Sequence, residues 1–405
     1  MMSEMPIRRE HYLKMLEMYK DKPFVKIITG MRRCGKSTLM DMFITDLKNN
    51  GVSEKNILHM NFEDKRNVSI RNGDALLEKV TDAIELKEGT YLFFDEIQDV
   101  IGWEKAINSM RYAGADVYLT GSNAKLLVSD FSTYLSGRYV EIKMYPLSFR
   151  EYVTFVEGDK TDLSRLLLDY IISGGLPQVI LEEQKKTNTA PILSAVFETV
   201  FMKDVIERNR IMDISAIRNL FDFVMKNVGN LTSTRNVANY IVSKGGKTSP
   251  PTVDSYLTHL ESAYLIHRAK KYDIKKKEYL RTANKFYISD LGIRNNEVGF
   301  DGGDMSGLIE NVVYMELLFR GKKAAVGKVN ENEVDFIFID KAQKEYYQVT
   351  LDMFDQNVRE RELRSLMKID DVQPKTIITL QRYPVNEIDG IRVIALTDFL
   401  LEEFE

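Results

Sequence analysis

Apolar residues along this chain follow two periods, and the switches between them mark its elements. Residues 24–29, "FVKIIT", form an apolar run of strand length; from Ser37 the apolar positions Leu39, Met40, Phe43, Ile44 and Leu47 recur at helical spacing. The order then repeats. The strand-like "NILHMNFED" precedes a helical "DALLEKVTDAIEL", "YLFFDE" precedes a helical "WEKAINSMRYAG", and "DVYLTGSN" adds a further strand. Strands alternating with helices through short connections predict a parallel, doubly wound α/β sheet. From Ile214 the pattern is helical, in "ISAIRNLFDFVMKNVG" and "STRNVANYIVSKGGKTSPPTVDSYLTHLESAYLI". The final region reads α-β-β-β-α-β, from "GLIENVVYMELLFR" through "AAVGK", "EVDFIFID", "EYYQVTL" and "NVRERELRSLMK" to "KTIITL".

Two adjacent acids break the apolar pattern. Asp95 and Glu96 end the strand in "FFDEIQDV" (93–100), and apolar strands of an α/β sheet seldom end in paired carboxylates without a task. Upstream, Gly30, Gly35, Lys36 and Ser37 complete G-x-x-x-x-G-K-S/T between a strand and a helix. Glycines let backbone N–H groups curl around phosphate oxygens, and the helix N-terminus adds donors and a favourable dipole. Gly30, Arg33, Cys34, Gly35, Lys36, Ser37 and Thr38 are therefore the expected nucleotide cradle, with ATP and Mg²⁺ as cofactors. Lys36 is expected to reach the β/γ-phosphates, and the Ser37 hydroxyl to ligate Mg²⁺. Asp95 would hold the Mg²⁺ shell, and Glu96 would polarise the attacking water. A strand intervening between loop and acids is the pattern of the additional-strand, catalytic-glutamate ATPases. Ser122 and Asn123 are expected beside the γ-phosphate as polar sensors; an ordinary turn after a strand is the other reading.

Composition narrows the class. The chain has 405 residues, 44% hydrophobic and 29% charged, which suits a soluble globular protein of two to four domains. No window approaches the ~18 continuous apolar residues of a membrane span. The start, "MMSEMPIRREHYLKMLEMYKDK", lacks the apolar core of a secretory signal, and the single cysteine, Cys34, excludes an internal disulfide framework. A cytoplasmic protein is expected. Four scattered histidines, His11, His59, His259 and His267, give no readable zinc site. With 56 basic against 60 acidic residues the net charge is −4, so a nucleic-acid surface has to be a local patch.

Several strings together resemble a named family. "DEIQDVIGWEKAI", "LTGSNAKLL", "LSGRYVEIKMYPLSFREY", "GGLPQVI", "YISDLGIRNN" and "ENEVDFIF" resemble, in their order and spacing, the bacterial and archaeal AAA+ ATPases with a DUF4143 C-terminal region. The resemblance covers nearly the whole chain. It implies an AAA+ core over residues 1–155, a helical lid over 156–213, a winged helix over 214–295 and a nuclease-like domain over 296–405. It makes Arg138 in "LSGRY" the candidate arginine finger, acting on a neighbouring subunit's nucleotide, with a structural arginine as the alternative. "GGLP" resembles a G-x-P lid motif that would bring Pro177 to the nucleotide, or it is a turn opening the next helix.

The winged-helix segment carries the basic patch. "GGKTSPP" is a helix–turn–helix joint, with Ser249 as N-cap and proline at the first helical positions. Residues 251–264 take the recognition-helix slot, yet they contain Asp254 and Glu261 and no Lys or Arg, which argues against bidentate base reading. "RAKKYDIKKKEYLRTANK" (268–285) holds eight Lys/Arg against two acids and is expected to be a hairpin wing with a cationic tip. Lys270, Lys271, Lys275, Lys276, Lys277 and Arg281 are the candidate phosphate contacts, giving DNA binding by structure rather than sequence. A solvated hairpin or a protein-docking surface is the alternative.

The final region resembles the PD-(D/E)xK nuclease core. Glu310 and Asp335 match its metal-gathering acids, whereas the remaining motif reads Gln348-Val349-Thr350, with threonine where the pattern has lysine. A degenerate site that binds or oligomerises is expected. The leading reading is an oligomeric AAA+ ATPase, with a hexameric ring as one form of it, acting on nucleic acid and not on a membrane. The alternatives are a nucleotide-operated switch docking a protein partner, and a metal-dependent nuclease.

Overall fold

A computed structural model describes residues 7–67, 69–122, 137–156, 160–280, 283–341 and 343–404. Two compact units form: Met1–Tyr145 with Ser262–Tyr264, and Pro146–Glu261 with Leu265–Glu405. No helix among the described residues is long and apolar enough to cross a membrane.

The first unit contains α1 (Glu10–Tyr19), β1 (Val25–Thr29), α2 (Lys36–Asn49), β2 (Ile57–Asn61), α3 (Gly73–Ala83), β3 (Tyr91–Asp95), α4 (Trp103–Tyr112), β4 (Asp116–Gly121) and β5 (Tyr139–Lys143). Its strands form one five-stranded sheet in the order β2-β3-β4-β1-β5, every pair parallel. Strands covered on both faces need apolar residues throughout. β1, β3 and β4 are accordingly buried at every position, and the edge strands β2 and β5 are not. On one face Ile27, Leu92, Phe94 and Leu119 pack with Leu76, Val80, Trp103 and Ile107. On the other, Phe93 stacks on Tyr118 with centroids 4.7 Å apart, and Phe43 of α2 meets Tyr118 at 5.3 Å. Because all five strands run the same way, their C-terminal ends share one edge.

The second unit begins with helices: α5 (Phe149–Phe155), α6 (Leu163–Ser173), α7 (Pro177–Gln184), α8 (Ala190–Thr199) continuing as a π-helical stretch, α9 (Ile214–Lys226), α10 (Thr234–Ser243) and α11 (Pro250–Ser262). Capping residues set several starts. Asp162, Asp213 and Ser233 each accept a backbone N–H of the first turn, and Ser148 with Glu151 forms a capping box. Then follow β6 (Ile266–Ala269), β7 (Lys271–Asp273), β8 (Glu278–Tyr279), β9 (Lys285–Ile288), α12 (Leu291–Val298), α13 (Met305–Phe319), β10 (Ala325–Val329), β11 (Asn332–Asp340), β12 (Gln343–Thr350), α14 (Gln356–Met367), β13 (Lys375–Thr379), β14 (Glu387–Ile388), β15 (Ile391–Ala395) and α15 (Leu396–Leu401). The α-β-β-β-α-β order read from the sequence is present as α13 to β13, with β10, β11 and β12 antiparallel and β13 parallel to β12.

The basic segment departs from a simple hairpin wing. β6 pairs antiparallel with β9 as a separate two-stranded sheet, while β7 and β8 between them join the edge of an eight-stranded sheet, β7 running parallel to β10. The cause is the apolar content of the basic run. Tyr272 and Ile274 are buried in the core of that sheet, beside Val334, Ile337 and Tyr346, which draws the backbone in and leaves Lys270, Lys275, Lys276 and Lys277 outside.

"GGLP" is satisfied within this unit. The Gly175 amide donates to Asp290 Oδ2 at 2.7 Å, and the Leu147 amide donates to the Gly175 carbonyl at 2.7 Å. A Cβ on Gly175 would lie 2.5 Å from the Leu147 carbonyl oxygen, so only glycine fits there. Pro177 is the first residue of α7, where its missing N–H costs nothing. The buried Asp290 carboxylate also caps α12 through the Ile293 amide, and burial raises it to about 6 against those stabilising amides.

Candidate nucleotide site

The site lies on the edge formed by the strand ends, where ligands of open parallel sheets bind. β1 ends at Thr29, and the loop from Gly30 to Gly35 turns back into α2. Three of its residues, Gly30 (φ 152), Arg33 (φ 66) and Gly35 (φ 104), have positive φ, and Arg33 does so without being glycine. A Cβ on Gly30 would stand 2.1 Å from the Met144 carbonyl oxygen, so the close approach of β5's continuation demands glycine. Lys36 is buried at the start of α2, and its Nζ donates to the carbonyls of Gly30 at 3.0 Å and Met31 at 3.1 Å. Ser37 and Thr38 are exposed on the first turn. The Cys34 thiol points inward toward the Met144 carbonyl at 3.6 Å, and burial pushes it up, so only the Cys34 backbone is available to a ligand.

The acids meet this loop from β3. Asp95 is buried; its Oδ1 accepts the Thr120 hydroxyl and its Oδ2 accepts Asn61 Nδ2 at 3.1 Å. The Thr120 Oγ1 also accepts the Glu96 amide at 3.0 Å. Glu96 has left-handed φ 54 and ψ 46, which turns its side chain off the strand line, 4.0 Å from Lys36 Nζ. Gln98 Nε2 donates to Glu96 Oε2. Ser122 is buried just beyond β4, and Asn123 lies outside the described residues. The donor set suits a magnesium nucleotide: an exposed hydroxyl at Ser37, an oriented carboxylate at Asp95, an ammonium at Lys36 and a glycine-shaped loop.

Three groups in this site escape a motif reading. Thr120 and Asn61 orient Asp95 from the neighbouring strands, and Arg9 supports the loop from below. Arg9 is buried, and its guanidinium donates to the carbonyls of Cys34 at 3.2 Å and Tyr145 at 3.0 Å. The next-door Arg8 forks onto both oxygens of Asp46 on α2, at 3.0 and 2.9 Å. The signals were "RRE" ahead of an amphipathic helix and a polar residue at the end of each strand, neither specific alone. Thr29 Oγ1 donates to Glu141 Oε1 at 2.9 Å, which also accepts the Tyr264 hydroxyl at 3.4 Å.

Arg138 sits at the other end of the sheet. Its carbonyl accepts the Val25 amide, and β5 pairs Val25 with Tyr139 and Thr29 with Lys143. At ~3.3 Å per residue the length of β1 separates Arg138 from its own loop by roughly 15 Å. The side chain is exposed, donates to the Tyr112 hydroxyl and lies over the Tyr112 ring at 5.4 Å. It does not reach the nucleotide cradle of its own chain.

The remaining candidates belong to the second unit. Lys270, Lys275, Lys276 and Lys277 are exposed around the β7–β8 turn, which Asp273 holds by accepting the Lys275 and Lys276 amides at 3.1 and 2.9 Å. Lys271 is partly buried, 3.7 Å from Glu333, and Arg281 lies outside the described residues. Arg268 pairs with Asp254 at 2.7 Å and Glu261 at 3.0 Å, so the acids of α11 are matched inside the fold. Glu310 on α13 and Asp335 on β11 do come together, but around Lys285, whose Nζ lies 2.8 and 3.2 Å from them. Burial and the neighbouring Asp335 raise Glu310 to about 8. Burial alone would lower Lys285, yet Asp335, Glu310 and Glu333 together hold it above its ordinary value. Gln348 Oε1 accepts the Asp335 amide at 3.3 Å, and Thr350 Oγ1 donates to the Asp352 carbonyl at 3.2 Å.

Residues 22–153 match the AAA domain family AAA_14. Residues 164–304 match a domain of unknown function, DUF8612, a different description from the DUF4143 region expected. An uncharacterised protein of Haemophilus influenzae is 36% identical over 99% of this chain and 100% of its own length. One of Methanocaldococcus jannaschii is 30% identical over 87% of this chain and 81% of its own. Among solved structures, the Walker-type ATPase of Pyrococcus abyssi superposes with a TM-score of 0.50 at 15% identity, over 72% of this chain and 95% of that one, a likeness of fold.

The double role of the Thr120 hydroxyl can be tested. Thr120→Val keeps the shape and removes the tie, leaving Asp95 Oδ1 and the Glu96 amide without their partner. Stability in urea should fall by about 1–3 kcal/mol, as for a buried polar group left unpaired. ATP turnover should drop more than nucleotide affinity. Unchanged turnover and an unchanged urea midpoint would remove Thr120 from the site.

Proposed function

The chain belongs to the AAA-type ATPases, in one family with the two relatives above, and we propose that it hydrolyses ATP as an oligomer and couples turnover to DNA. The carrying observation is Glu96 facing Lys36 across 4.0 Å, one residue beyond an Asp95 whose oxygens are both oriented. Bound ATP supplies the transferable phosphoryl group, and Mg²⁺ offsets its charge. Lys36 exchanges the Gly30 and Met31 carbonyls for phosphate oxygens. The amides of residues 33–38 would cradle the same oxygens, the Ser37 hydroxyl would ligate the ion and Asp95 would hold its shell. Glu96, steadied by Gln98, takes the proton of the attacking water.

Arg138 completes this proposal from a second copy. At the far end of its own sheet, with an exposed guanidinium, it is available to stabilise charge developing on a neighbour's nucleotide. DNA binding is supported by the exposed Lys270, Lys275, Lys276 and Lys277 in a chain of net charge −4. With no cation on α11 and Arg268 engaged internally, this patch suits phosphates rather than base edges.

Lys36→Ala should abolish ATP binding, whereas Glu96→Gln should bind normally and hydrolyse at least ~10²-fold more slowly, as loss of a general base does. Normal hydrolysis by Glu96→Gln would remove that residue from the role of base.

Arg138→Ala should bind nucleotide but lose turnover. Mixed with Lys36→Ala protein it should regain part of it, since each variant supplies the group the other lacks. No recovery despite measured subunit exchange would sink the action between copies.

Replacing Lys275, Lys276 and Lys277 together with alanine should flatten the log–log salt dependence of DNA binding by up to about 2–3 units, at ~0.9 per phosphate. Different sequences should weaken equally, and DNA-free ATP hydrolysis should survive. Unchanged affinity and slope would point to a protein partner for this turn.

A further inference from the structure

Three acids of the second unit, Glu310, Glu333 and Asp335, gather around one lysine, and two of them, Glu310 and Asp335, are those that match the metal-gathering acids of the nuclease pattern. Lys285 comes from β9, 50 residues ahead of Asp335. Its Nζ lies 2.8 Å from Glu310 Oε1, 2.8 Å from Glu333 Oε1 and 3.2 Å from Asp335 Oδ1. An ammonium has three hydrogens to donate; Glu310 and Asp335 accept hydrogen bonds from it, and Glu333 lies within ion-pair distance. Lys285 is 3% exposed, so its ammonium is removed from bulk solvent. Glu310 Oε1 also accepts the Tyr287 hydroxyl at 2.5 Å, and Asp335 Oδ2 accepts the Val349 amide at 2.9 Å.

These residues do not fit a divalent ion. Mg²⁺ requires an octahedron of oxygens at about 2.0–2.1 Å, which these acids can offer only if the ammonium leaves. Among the described residues no group of three or more His, Cys, Asp or Glu side chains is arranged to hold a metal. Thr350, in the place of the pattern's lysine, is turned to the Asp352 carbonyl. The chain therefore has a lysine at the acids, brought by a different strand and placed at their centre.

We propose that the Lys285 ammonium is the resident cation of this cluster, standing in for a divalent ion, so that the α13–β13 region is a closed scaffold and not a metal-dependent nuclease. The ammonium joins β9, the partner of β6, to α13 and β11. The charge that would have served metal chemistry instead fixes the strand that returns from the basic turn.

The test is Mn²⁺ binding by the full chain, read from the loss of the free-ion electron paramagnetic resonance signal. Wild type and Asp335→Asn should bind equally, because no ion uses Asp335. Lys285→Met removes the charge at similar length and should gain one Mn²⁺ site at least ten times tighter than any in wild type. The double variant Lys285→Met with Asp335→Asn should lose it again, and Lys285→Arg, which keeps a cation, should not gain it. An Asp335-dependent Mn²⁺ site in wild type would overturn the proposal, as would wild-type cutting of linear DNA that Asp335→Asn abolishes. A folded Lys285→Met protein that gains no site would overturn it too. Should Lys285→Met fail to fold, the comparison of wild type with Asp335→Asn still decides.

Discussion

One buried hydroxyl, that of Thr120, joins the two acidic residues of the candidate nucleotide site: it donates to the Asp95 carboxylate and accepts the Glu96 amide. This contact exists only because β3 and β4 pair in one register, with Phe94 opposite Leu119, and because side chains along a strand alternate between faces. Phe94 therefore enters the core beside Leu76 and Trp103 while Asp95 faces the loop. A slip of one residue would exchange them. The same parallel arrangement sets Asn61, Asp95, Thr120 and Thr29 along one edge, so four strands that are distant in sequence supply one site.

The loop is held rather than left open. Lys36 is engaged by carbonyls of its own loop, Arg9 fastens Cys34 and Tyr145 from below, and the left-handed Arg33 and Glu96 are non-glycine residues in a conformation that costs free energy. Such conformations persist where surrounding contacts over-determine them. Here the Glu96 amide is fixed by Thr120 and its carboxylate by Gln98. A preorganised acid close to a lysine suits chemistry on a charged ligand, because little has to move when charge develops.

In the second unit the placement of cations matters more than their number. The basic run of residues 268–285 is divided by its apolar members. Tyr272 and Ile274 sink into the eight-stranded sheet, Lys275 to Lys277 stay outside on the turn, and Arg268 and Lys285 are drawn to acids of the fold. A single stretch thus yields an exposed cationic patch and a buried cation. Desolvation separates these fates: an interior ammonium needs polar partners in place of its water, and at Lys285 carboxylates supply them.

Much of this protein could be read from the chain itself. The strand–helix alternation gave the parallel sheet, and the spacing from Gly30 to Ser37 gave the loop, because periodicity and glycine spacing are local properties of the backbone. Asp95 and Glu96 were legible because charge at the end of an apolar strand is locally anomalous. Thr120 and Asn61 were not: a polar residue at a strand end is ordinary, and only strand order makes it a neighbour of Asp95. Arg9 was hidden for the same reason, being 25 residues from the carbonyl it holds. The basic run could be counted but not divided, since burial of Tyr272 depends on a sheet edge that β10 provides much later in the chain. Lys285 is the clearest case. Its sequence neighbours suggest one more surface cation, and only the pairing of β9 with β6 and the packing of α13 and β11 place it among three carboxylates, where Coulomb attraction in a buried site outweighs its loss of water.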